Sequence, residues 1–164
     1  MPLSLRVAEA ADGEAIASIQ LVSWEATYGH LNRAMVDGLD LVRTAANWAR
    51  VAEDPAFRIG LVESGGVPIG CCLSGPAETG PEGELHAVYV LPAAQRLGAG
   101  RLLVTDGLAF LAAAGYAECV LWVVDANTNA QGFYRHLGFL AESARDTWRG
   151  LPVTRYRRAL SPVS

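Results

Sequence analysis

Residues 84–113 read ELHAVYVLPAAQRLGAGRLLVTDGLAFLAA, an extended β-prone run that passes Pro92 and a glycine-spaced turn straight into an amphipathic helix. A strand that feeds a helix in this way sets the helix N-terminus beside the end of a sheet. The first helical turn has unpaired N–H groups and the positive end of the helix dipole. In Gln95-Arg96-Leu97-Gly98-Ala99-Gly100 the alternate glycines let the main chain approach a ligand closely, and Arg96 and Arg101 add full positive charge. The segment therefore predicts an anion site, with the pyrophosphate of a phosphorylated cofactor as the expected ligand. The competing reading is a glycine-rich turn that only packs tightly.

Details of the turn separate the candidate chemistries. A Walker A loop requires Gly-Lys followed by Ser or Thr, and no lysine follows either glycine. A dinucleotide fingerprint requires a third glycine where this chain has Leu103. A second segment, residues 119–139, reads CVLWVVDANTNAQGFYRHLGF: a hydrophobic strand, a polar break at Asp125-Ala126-Asn127, then a helix carrying Phe133-Tyr134 and stopping at Gly138-Phe139. Gln-x-x-Gly-x-Gly after a strand ending in Val-x-Pro, with Asn127, Ala130, Phe133, Tyr134, Gly138 and Phe139 at this spacing, resembles the two halves of the cofactor site of the GCN5-related N-acetyltransferases, the GNAT superfamily. The resemblance runs over residues 5–160. In the N-terminal third, Ser23-Trp24-Glu25-Ala26-Thr27-Tyr28-Gly29 is similar to a bacterial subgroup with an S-W-x-x-x-Y signature.

The rest of the chain fits one enzyme domain spanning residues 1–164. With 164 residues, 51% of them apolar and 18% charged, there is material for a single core. A net charge of −4 argues against nucleic acid or an anionic membrane as partner. Neither a signal peptide nor a bilayer-length apolar run is present, so a cytoplasmic protein is expected. Cys71, Cys72 and Cys119 suit neither a disulfide framework nor a zinc site, and His30, His86 and His136 lack metal-ligand spacing; no metal is expected. Pattern and turn signals predict a strand at 3–8, a helix from Asp12 to about Tyr28, a helix at 35–51, strands at 57–63 and 67–74 joined by Gly65-Gly66, the two segments above, and strands at 140–148 and 153–160. The order β-α-α-β-β-β-α-β-α-β-β predicts an α/β fold with helices on both faces of the sheet. The resemblance adds that the sheet is mixed, mostly antiparallel and of about six or seven strands.

The resemblance implies an acetyl-CoA-dependent N-acetyltransferase and assigns roles. Val88, Tyr89 and Val90 would bond the pantetheine arm, with an N–H near Val90 as oxyanion donor. The main chain of Gln95, Arg96, Leu97, Gly98, Ala99, Gly100 and Arg101 would hold the pyrophosphate, and Asn127 would bond the pantetheine or phosphate region. Tyr134 would reach the sulfur as general acid, a role suited to a phenol of pKa near 10. Where some members carry a glutamate in the strand before Asn127 this chain has Trp122, so the base is sought on the Glu84 strand. Period-two alternation puts Glu84, His86, Val88 and Val90 on one face and Leu85, Ala87 and Tyr89 on the other, making Glu84 the first candidate base or water-relay residue and His86 the second. Trp24, Tyr28, Glu84 and Trp122 are the candidate acceptor-binding residues; Trp24 and Tyr28 share a helical face and are equally explained as core. The expected acceptor is a primary amine of a small molecule or amino-acid derivative, attacking directly in a ternary complex. Alternatives are transfer to a protein or peptide N-terminus and a noncatalytic acyl-CoA sensor. A homodimer formed through an exposed strand at 153–160 is a further expectation.

Overall fold

The computed structural model describes residues 2–161. Seven strands, β1 (Leu3–Val7), β2 (Arg58–Ser64), β3 (Val67–Pro76), β4 (Gly83–Val90), β5 (Glu118–Val124), β6 (Leu140–Trp148) and β7 (Leu151–Ala159), form one sheet in the order β1-β2-β3-β4-β5-β7-β6. Every neighbouring pair is antiparallel except β4 and β5. The helices are α1 (Gly13–Tyr28), α2 (Arg33–Asp37), α3 (Leu41–Ala52), α4 (Ala99–Ala113) and α5 (Thr128–His136). This is the mixed, mostly antiparallel α/β sandwich expected.

The two faces have separate cores. On one, Leu103, Val104 and Leu111 of α4 and Phe133 and Tyr134 of α5 pack with Cys119, Leu121 and Phe139. On the other, Ile16 and Ile19 of α1 and Trp48 of α3 cover Ile59, Leu61 and Cys71. Each fully buried Leu or Ile contributes roughly 1.5–3 kcal/mol relative to exposure. Local signals set the ends of α5: the Asn127 side chain accepts the Ala130 N–H at 3.1 Å, and Gly138, at φ 91°, lets the Phe139 N–H reach back to the Tyr134 carbonyl at 3.0 Å.

Three expectations need correction. The helix predicted at 35–51 is two helices, because Gly38 ends α2 and Asp40 starts a new one by accepting the Arg43 N–H at 3.0 Å. The strand at 153–160 is not an exposed edge: β7 is paired with β5 on one side and β6 on the other, so its main chain has no free edge to offer a second copy. The edges are β1 and β6.

The third correction concerns the face assignment on β4. Leu73 pairs with Ala87 and Ser74 with Leu85, which leaves His86 as the extra residue of a β-bulge. One inserted residue inverts the alternation beyond it. Val88 and Val90 therefore join Leu85 against α4, whereas Ala87 and Tyr89 turn to the α1 and α3 face with Glu84 and His86.

Candidate active site

The parallel pair β4–β5 is in register only at Gly83 with Cys119 and Glu84 with Val120. Beyond these rows the strands part, while β5 keeps its pairing with β7 as far as Val124. A cavity of about 580 Å³ opens at the resulting wedge, with Trp24, Tyr28, Glu84, Trp122, Asn127 and Tyr134 among its lining residues. The Leu91 N–H bonds the Ile69 carbonyl of β3 at 2.9 Å. Antiparallel alternation then commits the main chain of Tyr89 to β3 and turns the N–H and C=O groups of Val88 and Val90 into the wedge. These are edge groups able to pair with an extended amide-bearing ligand as an added strand would. Tyr89 contributes its side chain instead, on the opposite side of the sheet from the expected role.

The turn into α4 continues from the end of β4. Arg96 and Gly98 both have positive φ, 71° and 88°. The ladder of α4 begins with Leu102 N–H to the Gly98 carbonyl at 3.1 Å, so the N–H groups of Ala99, Gly100 and Arg101 precede it and form a concave donor set. Arg96 and Arg101 are exposed and, among the described residues, without an ion-pair partner. Gln95 turns its amide toward the Val90 carbonyl at 3.5 Å, and Leu97 is exposed. The two glycines do different work. Gly98 supplies the left-handed turn, whereas a Cβ on Gly100 would meet the Phe133 ring at 3.1 Å, so this glycine lets α4 close on α5.

Tyr134 sits at the wedge with its ring edge-on to Phe133 and Phe139, at centroid distances of 5.1 and 5.8 Å. Its hydroxyl has no hydrogen-bond partner among the described residues, and burial pushes its pKa well above the ordinary phenol value, so it holds its proton. Asn127 is occupied by the α5 cap. Burial also raises the Tyr28 pKa above the ordinary phenol value, with the nearby Asn127 side chain acting in the opposite direction.

Glu84 and His86 are brought together, with Nδ1 of His86 3.1 Å from the Glu84 carboxylate and Nε2 2.8 Å from the Pro76 carbonyl. Both neighbours are acceptors, so the ring is best satisfied when both nitrogens donate. Burial works to lower its pKa, yet the Glu84 hydrogen bond and charge and the Pro76 carbonyl outweigh this and raise it above the usual 6.5. His86 thus has no free nitrogen with which to take a proton; it orients and charge-balances Glu84, which lines the cavity.

The other wall is assembled from distant segments. Trp24 is buried and donates its Nε1–H to the Tyr89 hydroxyl at 3.2 Å. Trp148 of β6 packs edge-on to Trp24 and Tyr28 at 5.5 and 5.4 Å. Arg149 lies over Trp24 and Trp148 at 5.0 and 5.8 Å, and Arg155 lies over Trp122 at 5.8 Å while ion-paired to Glu142. Sequence reasoning missed Arg149 and the side chain of Tyr89, since only the bulge and the β6–β7 hairpin bring them here. No group of His, Cys, Asp and Glu able to hold a metal occurs among the described residues, and no described helix is long and apolar enough to cross a membrane.

Sheet order, wedge and donor turn together define an α/β domain with an open strand edge beside an anion-binding turn. A family model described as the acetyltransferase (GNAT) family matches residues 14–139, and the chain belongs to that family. It is 30% identical over 129 residues to YuaI of Bacillus subtilis, described as an uncharacterized N-acetyltransferase, covering 76% of this chain and 73% of that protein. Over 156 residues it is 27% identical to the Mycobacterium tuberculosis protein called Probable N-acetyltransferase Rv2775, covering 91% of this chain and 86% of that one. The fold matches that of yncA of Salmonella typhimurium, solved with its cofactor acetyl-CoA, with a TM-score of 0.78 and 22% identity over 100% of this chain and 97% of that one.

Proposed function

We propose that the chain transfers an acetyl group from acetyl-CoA to the primary amine of a small molecule or amino-acid derivative, by direct attack in a ternary complex. The observation that carries this reading is the opened β4–β5 edge, which runs from the outward-turned main-chain groups of Val88 and Val90 into the donor turn at Ala99–Arg101, with Val88 and Tyr134 lining the same cavity. These residues fit the cosubstrate: an anion cradle with two unpaired arginines for the pyrophosphate, and an amide-pairing edge for the pantetheine arm.

The chemistry follows from these positions. The neutral amine attacks the thioester carbonyl; the C–N bond forms, and the oxygen gains charge beside the Val90 N–H. The proton lost from nitrogen passes to Glu84 directly or through water, with His86 holding the carboxylate in place. As the C–S bond breaks, Tyr134 gives its proton to the departing thiolate. Because Trp148 closes against Trp24 and Tyr28, the acceptor side has aromatic walls suited to a small amine. The test is free-thiol release from acetyl-CoA across amines, amino acids, antibiotics and short peptides. Release that depends on one amine class supports the reading; tight cofactor binding with no acceptor-dependent thiol supports the sensor instead.

A further inference from the structure

We infer that Arg149 is a specificity-determining residue that binds a carboxylate of the acceptor, so the acceptor is a zwitterion of the α-amino-acid type. This deepens, and rests on, the amine-acetylation reading above.

Two non-glycine residues among those described have positive φ, Arg96 and Arg149, and both belong to the candidate site. Arg149 and Gly150, at φ 49° and 80°, are the two central residues of the hairpin that joins Trp148 to Leu151. That is a type I′ turn, for which asparagine at the first position is the low-strain choice and arginine a costly one. A residue held against its backbone preference at a cavity points to use of its side chain. The guanidinium lies over the faces of Trp24 and Trp148, and the main-chain carbonyl of Arg149 accepts the Asn32 Nδ2–H at 2.9 Å, which latches the hairpin tip to the cap of α2. Its planar donors nevertheless have no carboxylate among the described residues, in contrast to Arg155 on the same wall, which is spent on Glu142. An aromatic floor, with Trp24 buried, beneath an exposed and unpaired guanidinium is a site for a planar anion, and carboxylate matches its fork. Glu78, also lining the cavity and without an ion-pair partner among the described residues, offers the complementary charge for an ammonium group. Cation-attracting and anion-attracting groups within one cavity fit a substrate that carries both charges.

The test is calorimetric titration of the CoA-bound protein with a panel of L-amino acids and their matched α-carboxamides, for the unaltered chain, Arg149→Gln and Arg149→Asn. At least one acid should bind ten times or more tighter than its amide. Both substitutions should erase that preference by weakening the acid at least tenfold and leaving the amide within about twofold. Arg149→Asn should also raise the melting temperature, which shows that the hairpin is intact. Equal binding of acid and amide, no binding by any member, or an unchanged preference in Arg149→Gln would overturn the inference. Because binding is read without turnover, selective binding with no acetylation would show a carboxylate site at Arg149 and overturn the acetyl-transfer reading, and with it the assignment of the bound zwitterion as an acceptor.

Discussion

The two ends of the candidate site are built in opposite ways. At the proposed cosubstrate end, the donors are main-chain groups of one continuous strand–turn–helix segment, from Val88 to Arg101. At the acceptor end they are side chains from α1, β4, β5 and the β6–β7 hairpin, joined by contacts such as Asn32 to Arg149, 117 residues apart in sequence. The first end depends on backbone conformation and is specified by where glycine and a helix start fall; the second depends on which strands become neighbours. Arg96 and Arg149 mark the contrast, each at positive φ, one beside a main-chain cradle and one above an aromatic floor.

The comparison is sharpened first at the wedge between the two ends. Tyr134→Phe removes only a proton donor, and kcat should fall by about 100-fold or more with KM for acetyl-CoA nearly unchanged; a loss confined to KM would reassign Tyr134 to binding. Next, Gly98→Val puts a β-branched side chain at φ 88°, where strain of about 1–3 kcal/mol is expected. Steady-state kinetics should show KM for acetyl-CoA raised by roughly tenfold, whereas Arg149→Asn leaves that parameter alone. If both variants moved it, the two ends would not be separable.

Smaller effects test the individual parts. Gly100→Ala presses a methyl against Phe133 and should cost about 1 kcal/mol in denaturant unfolding, part of which Phe133→Leu restores. Restoration would assign Gly100 to packing rather than ligand approach. Arg149→Asn should gain up to about 1 kcal/mol by relaxing the left-handed position. The least effect is on pH. His86 holds its proton above the ordinary 6.5 in the folded state, so its stabilising contribution is complete below about pH 6.5 and is lost as pH rises through the higher folded value. A His86→Gln variant should lack that slope in melting temperature against pH.

How much could be read from the sequence follows the same division. The strand–turn–helix at 84–113 and the capped, glycine-stopped helix after Asn127 were legible because their signals are local: Gly98 for a left-handed turn, Asn127 for a cap, Gly138 for a stop. The single extra residue at His86 was not, since a bulge is set by the register of β3 against β4, and that one residue moved Tyr89 across the sheet and invalidated the face shared by Glu84 and Val88. The edge predicted at 153–160 failed for a related reason: strand order is a tertiary property, and β6 folds back outside β7. Arg149 falls between the strands predicted at 140–148 and 153–160, but nothing local shows that its guanidinium lands on Trp24.

The central claim is that the main chain of the opened β4 edge and of the α4 start holds the cosubstrate, and amide NMR on the 15N-labelled protein titrated with CoA tests it most directly. The account predicts the largest shifts, with slowed hydrogen exchange, at Val88, Val90 and the Ala99, Gly100 and Arg101 amides, and little change at Tyr89, whose N–H is already committed to β3. Saturable binding that left the wedge and donor-turn amides unmoved, or perturbed only residues away from the β4–β5 wedge, would contradict it.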